Sequence, residues 1–346
     1  MSSSPTIAMI YMGGTFGCIG EPLNPMPAAD FLPRIKQLIG AELSAIQYFT
    51  SSAVIKDSSQ LNPRDWIDLI AQINNLESQG YRQIIMIHGT DTLAYTAAFL
   101  AHYFAASDLQ LVVTGSQFPL LTADGLKLHP SSDALANLGL AYHQLISRAD
   151  TIKAVSNCWV AFDEQVWPAL TVQKIHTTKT PAFAGLSAHS NDGYQPIQLQ
   201  TPLNNTSDAK PVIDLNQLEA LTIAIYYALP VSAEQQAAQF QNFLSLHPLQ
   251  AVIILAFGSG NLSQHPLLEQ ALQQAAERQV MVVIASQVPF GGVNSRYATG
   301  DWLADYGVLS AGHLPVPAIY ARLAYLCCQQ LSFVARKQQW PLAISH

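Results

Sequence analysis

An α/β fold is what this 346-residue chain predicts, with a larger N-terminal domain built on a mainly parallel sheet flanked by helices and a smaller C-terminal α/β domain with its own parallel sheet. Three observations predict it. Short apolar runs alternate with longer stretches of helical period, each run ends near Gly or Ser, and one polar segment divides the pattern in two.

The first run, TIAMIYM, stops in Gly13 and Gly14, and Thr15 follows. A strand ending in two glycines lets its backbone approach a ligand closely, so Thr15 is either a turn residue or a nucleophile. A short run SAVI precedes KDSSQ; NPRDWIDLIAQINNLESQG then reads as a helix capped by Asn62, with Pro63 in its first turn and Gly80 at its end. The strand QIIMIHG leads into Gly89, Thr90 and Asp91. After it Leu93, Ala97, Leu100 and Phe104 share one helix face. LQLVVTG is the next strand. Residues 187–214 are rich in Ser, Asn, Asp, Gln and Pro with weak periodicity, which places the boundary there: an N-terminal domain over 1–200, a linker over 201–215 and a C-terminal domain over 216–346. In the second part QAVIILAFG and QVMVVIAS flank NLSQHPLLEQALQQAAERQ, which reads as a helix.

Composition narrows the function. Half the residues are apolar and 11% are charged, enough to bury two cores. No apolar run reaches the roughly 18 residues of a membrane span, and MSSSPTIA lacks the charged and apolar regions of a secretory leader, so a soluble cytoplasmic protein is expected. The net charge is -7 with Lys and Arg scattered singly, so nucleic acid is not an expected partner. Cys18, Cys158, Cys327 and Cys328 lack paired spacing, and the ten histidines lack H-E-x-x-H spacing. Neither a disulfide framework nor a metal is expected, and no cofactor.

Ligands of open parallel sheets sit outside the carboxyl ends of the strands. The segments there carry hydroxyls: GGTFG, KDSSQ, HGTDTLAYTA and TGSQFP. A threonine hydroxyl is a weak nucleophile at neutral pH and needs a base within hydrogen-bond reach, with a third group to orient that base. Asp91 suits the orienting role, and a lysine made neutral by burial suits the base. Taken singly, the same residues have plainer readings: Asp91 as a helix cap, Ser58 and Ser59 as turn residues, Lys174 as a solvated charge, and His88 and His176 as scaffold.

Taken in order, GGTFG, DSSQLNPRDW, HGTDTLAYTA, TGSQFP, GSGN and YATG resemble the bacterial-type L-asparaginases, closest to the cytoplasmic type I branch, over residues 11 to about 300. The resemblance implies an amidohydrolase that converts L-asparagine to L-aspartate and ammonia through an acyl-enzyme, with the N-terminal domain as the catalytic one. Thr15 matches the nucleophile. Ser58 and Ser59 match residues holding the substrate's α-amino and α-carboxylate groups, and Gly89 belongs to the same substrate-binding set. Thr90 and Asp91, with a lysine, match a second triad; the Thr90 N–H also receives the oxyanion, and Asp91 also binds the substrate ammonium. In VQKIHTTKTPAFAG the His, Thr-Pro and Phe landmarks place the lysine at Lys174, whereas matching TTK alone would choose Lys179. Asn261, ending GSGN, matches a segment that reaches a neighbouring subunit's site, which implies a homodimer or homotetramer. Glutamine is implied as a minor substrate, because one methylene is worth only about 1–3 kcal/mol of discrimination.

Two departures stand out. The family's loop tyrosine, whose phenol assists the first threonine, is missing from FGCIGEPLNPMPAADF, where Pro25 takes its place. That leaves the proton relay to Tyr11, another group or a partner chain. Leu255 stands where type I enzymes tend to carry an arginine of a regulatory asparagine site, so such activation is not expected. The competing readings are an amino-acid-binding protein of weak activity on this scaffold and an ammonia-supplying subunit of a tRNA amidotransferase.

Overall fold

The computed structural model describes residues 7–38, 43, 45–51, 55–147, 157–185, 187–190, 193–196, 198–200, 213–245, 248–294, 301–341 and 343–345. Residues 52–54 of the SAVI run, most of the expected linker and the YATG motif lie outside them. The chain divides into two compact units, Met1–Gly185 and Leu186–His346.

In the first unit the apolar runs pair into a six-stranded sheet. Its strands are β1 (Ile7–Tyr11), β2 (Ile46–Thr50), β3 (Gln83–Ile87), β4 (Gln110–Thr114), β5 (Cys158–Phe162) and β6 (Gln165–Pro168), in the order β2-β1-β3-β4-β5-β6. The first five run parallel and β6 returns antiparallel on β5. Sequence reading missed β2, which precedes the SAVI run, β5, and β6, a four-residue strand with only half-buried or exposed side chains. Central strands β1, β3 and β5 are buried at every position, as expected of a sheet covered on both faces.

One face packs Met9, Tyr11, Ile85 and Val112 against α1 (Ala28–Leu38) and α4 (Ala134–Ser147) through Phe31, Ile35, Leu138 and Leu145. The alternate residues turn to the opposite face, which holds α2 (Pro63–Ser78) and α3 (Leu93–Tyr103). Asn62 caps α2 as the sequence predicts: its side chain accepts from Arg64 N–H, and Asp65 reciprocates from the Asn62 N–H at 2.7 Å.

A short hairpin of β7 (Val172–Lys174) and β8 (Phe183–Gly185) follows, with Lys174 opposite Phe183.

The second unit carries a four-stranded parallel sheet of β9 (Ile223–Tyr227), β10 (Ala251–Ala256), β11 (Met281–Ser286) and β12 (Leu309–Ser310), in that order. Helices α5 (Ala233–Ser245) and α6 (Pro266–Glu277) cover one face, and α7 (Val316–Cys327) covers the other. Helix α6 begins at Pro266, five residues later than the periodicity suggests. His265 is its N-cap and the preceding polar residues are turn and loop. All four cysteines are free and buried. Among the described residues no helix is long and apolar enough to cross a membrane.

Arg322 of α7 is 3% exposed and lies against the end of α8 (Phe333–Gln338). Its guanidinium donates to the carbonyls of Trp340 (2.7 Å) and Gln339 and stacks over the Trp340 ring. Burial lowers its pKa to about 10. Replacing Arg322 with Leu removes the charge but takes the donor from the buried Trp340 carbonyl and from the half-buried Gln339 carbonyl. A loss of about 2–3 kcal/mol is expected, read as a lower urea midpoint for the second unit.

Candidate active site

The strand order reverses direction between β1 and β3, and ligands of open α/β sheets lie outside such a point. Three loops leave the carboxyl ends of β1, β2 and β3 there, and glycines set how closely they approach. Met12 N–H reaches Ile87 O at 3.0 Å, and Gly13 bridges to Lys56 in parallel fashion. Gly14 has φ +76°, and a Cβ on it would lie 2.2 Å from Gly89 Cα. Only backbone fits between these loops. Thr15 and Thr90 therefore leave from two residues in direct contact.

Thr15 is half-buried and opens a single 3₁₀ turn, Thr15–Gly17. Thr90 is 8% exposed. Ser58 is buried beside it: its Oγ accepts the Asp91 N–H at 3.2 Å, its carbonyl accepts from Thr92 Oγ1 at 2.8 Å, and a Cβ on Gly89 would meet that Oγ at 2.6 Å. Gly89 is thus enclosed by Gly14 and Ser58. Ser59 turns elsewhere. It is exposed, and both its hydroxyl and its N–H donate to Asp57 Oδ1, at 2.6 and 2.8 Å, as in a capped turn.

Lys174 arrives from the end of β7, more than eighty residues further along the chain. Its Nζ donates to Thr90 Oγ1 at 2.8 Å and to Asp91 Oδ1 at 2.7 Å. Lys179 gives its backbone N–H to His176 Nδ1, which also accepts from the Thr178 N–H. The N-cap of α3 is Thr92, so Asp91 stands just outside the helix and its carboxylate faces the lysine. With Asp91 55% exposed, such a pair contributes only about 0–1 kcal/mol to stability. Its geometry suits proton traffic at Thr90 better than it suits holding the fold together.

Asn261 belongs to the second unit. It closes a tight turn at the end of β10, exchanging backbone hydrogen bonds with Phe257 around Gly258 (φ +48°) and Gly260 (φ +106°). Leu255 is half-buried on β10, opposite Tyr227 of β9.

The structure removes one suggestion made for the missing loop tyrosine. Tyr11 is fully buried, its hydroxyl donates to Met26 O at 3.2 Å, its ring stacks on Phe31, and burial pushes the phenol well above its ordinary range. It fastens the loop after Thr15 to the sheet and is not placed to relay protons. Pro25 pairs with Cys18 in that loop's small two-stranded ribbon. Cys18 donates its thiol to Gly14 O at 3.2 Å, and burial, with Asp57 adding to it, pushes that thiol up to about 11.

Supporting residues escaped the sequence reading. Asp133 accepts the N–H groups of Gln117 and Phe118, and Asn137 ties Gly115 O to the Asp163 N–H. The Gln117 amide then reaches Thr177 O at 2.8 Å, joining the loop after β4 to the turn beyond Lys174. Asp133 sits just before α4, where it reads as an ordinary cap, and its partners lie up to 16 residues away. Nothing local announces the clamp.

His88 is fully buried, with Nδ1 2.7 Å from Gly89 O and Nε2 2.9 Å from Thr96 Oγ1, and Trp66 Nε1 donates to the same hydroxyl at 3.0 Å. Burial lowers the imidazole to about 4, opposed by its hydrogen bond to Gly89. Between that value and the unfolded value near 6.5 the unfolded chain binds more protons. The stabilisation is therefore complete above pH 6.5 and is lost as pH falls towards 4. About 3 kcal/mol is expected to disappear over that window in wild type but not in His88→Asn, measured as the difference between their unfolding free energies at each pH.

No group of three or more His, Cys, Asp or Glu able to hold a metal occurs among the described residues. What the site offers is hydroxyls beside an amine and a carboxylate, on loops whose backbone admits close approach.

Residues 6–195 match the family model Asparaginase, N-terminal, and residues 224–339 match Glutaminase/Asparaginase C-terminal domain. L-asparaginase 1 of Escherichia coli (strain K12) is 28% identical over 332 residues, covering 94% of this chain and 93% of that protein. The crystal structure of L-asparaginase I from Vibrio cholerae O1 biovar eltor superposes with a TM-score of 0.73 at 27% identity, over 99% of this chain and 98% of that one. The thermostable L-asparaginase from Thermococcus kodakarensis shares the fold, with a TM-score of 0.69 at 22% identity over 96% of both chains. With more than half its length under the first of these family models and the second covering most of the remainder, the chain belongs to the asparaginase family.

Proposed function

We propose that the protein hydrolyses L-asparagine to L-aspartate and ammonia, without a cofactor, as a cytoplasmic homodimer or homotetramer. The carrying observation is the contact of Lys174 Nζ with Thr90 and Asp91, beside the Gly14–Gly89 crossing from which Thr15 departs. Thr15 Oγ attacks the side-chain amide carbon, and the oxyanion is received by the Thr90 N–H. The C–N bond breaks as the leaving nitrogen takes up the proton given up by Thr15, and ammonia departs. Water then attacks the ester carbon, its proton passing through Thr90 to Lys174 acting as the neutral amine; the bond from that carbon to Thr15 Oγ breaks, Thr15 takes the proton back from the lysine, and aspartate leaves. Ser58, Gly89 and Asp91 hold the substrate's backbone groups, Ser59 being turned to Asp57 instead, and Asn261 comes from a neighbouring copy. Membership of the asparaginase family and the similarity to enzymes named L-asparaginase 1 support this reading.

Ammonia release from asparagine and glutamine tests it. Turnover of asparagine, with glutamine slower, is the expected result. Tight aspartate binding by calorimetry without turnover would replace it with the amino-acid-binding reading, which the tyrosine-free loop favours.

A further inference from the structure

The orientation of one peptide follows from the buried chain at His88. Gly89 O can only accept, so the hydrogen of the neutral ring sits on Nδ1, 2.7 Å away. Nε2 then presents a lone pair, and Thr96 Oγ1 must donate to it across 2.9 Å. The same Thr96 oxygen takes the Trp66 indole hydrogen at 3.0 Å. Donation therefore runs in one direction, from Trp66 through Thr96 and His88 to the Gly89 carbonyl. Trp66 is 8% exposed, and Thr96 and His88 are fully buried, so any break strands a polar group without water.

In a trans peptide the N–H points opposite to the preceding C=O. The only cis bond among the described residues is Glu21-Pro22, so Gly89–Thr90 is trans. A Gly89 carbonyl pulled toward the buried imidazole turns the Thr90 N–H away from it, out of the core. Gly14 against Gly89 Cα and Ser58 Oγ on the Cβ side keep the plane from rotating. A hydrogen bond on the carbonyl also polarises the amide and makes its N–H a stronger donor.

We infer that His88, held by Thr96 and Trp66, is a positioning residue that aims the Thr90 N–H at the oxyanion of the amide hydrolysis proposed above, and the inference rests on that reading. Neither threonine hydroxyl is altered by it. Its effect falls on the transition state, because the oxyanion exists only there.

Two substitutions separate aim from packing. His88→Asn keeps an N–H donor close to the Nδ1 position, whereas His88→Gln extends toward Nε2 and abandons the Gly89 carbonyl. Losing an oxyanion donor outright costs roughly 10²–10³-fold, and misaiming it costs less. In His88→Gln kcat for asparagine is expected to fall about 10–100-fold with KM within about twofold, while His88→Asn stays within about fivefold of wild type. Equal kcat in the two variants, or kcat and KM worsening together in step with Tm, would overturn the inference. Should His88→Gln not fold, Thr96→Val serves: an unchanged kcat overturns the inference and a loss of about 3–10-fold supports it. Should wild type release no ammonia, the proposed activity fails separately. The inference is then read from the ¹⁵N-threonine spectrum, where a Thr90 amide signal that moves in His88→Gln but not in His88→Asn supports it, and one unmoved in both overturns it.

Discussion

Lys174→Met is expected to lower kcat for asparagine by about 10²–10⁴-fold, the range for a positioned acid-base group. Methionine keeps much of the aliphatic length and loses the amine, so the contacts to Thr90 Oγ1 and Asp91 Oδ1 vanish together. The ion pair is partly exposed, so the fold should survive within about 1 kcal/mol. A large kinetic loss without a stability loss is therefore the signature. Thr90→Val should give a loss of similar order, and the double variant should be little worse than either single one, because groups acting as a unit are not additive. Ammonia release and urea midpoints on the three proteins check this. Additive losses would separate Lys174 from Thr90 in function, and a Lys179→Met protein that alone lost turnover would move the base to the other lysine.

Thr15→Ala carries the larger expected effect, a fall of more than about 10⁴-fold toward the residual rate that binding and oxyanion donors supply alone. Thr15 opens a 3₁₀ turn in which the Gly17 N–H returns to Gly14 O and the Cys18 N–H to Thr15 O, all backbone, so alanine leaves the turn intact. Aspartate affinity should then change little. Thr15→Ser, which keeps the oxygen but frees its rotamer, should retain turnover between the two. Full activity in Thr15→Ala would move the nucleophile elsewhere, with Thr90 the first place to look.

The legible parts of the fold were those written in local chemistry. Asn62, Pro63 and Asp65 announce the start of α2, and strands β1 and β3 appear as buried apolar runs that lead into glycine. Helix α6 starts later than the sequence suggests because residues 261–265, with Leu262 apolar among them, fit a helical count while the cap geometry belongs to His265. Strands β6 and β12 are too short, or too exposed, to stand out from loop. At the candidate site, resemblance supplied the hydroxyls and the lysine. The direction of the Ser59 side chain toward Asp57, the enclosure of Tyr11 and the Asp133–Asn137 clamp depend on neighbours that only folding supplies.

The four buried thiols make each half of the molecule its own clock. Cys18 and Cys158 lie in the first unit, Cys327 and Cys328 in the second, and burial raises every one of them, Cys18 to about 11 and Cys328 to about 12. Alkylating reagents consume thiolate, so modification waits for the surrounding structure to open. Peptide-resolved labelling in native buffer then yields a separate opening free energy for each half, with no introduced probe.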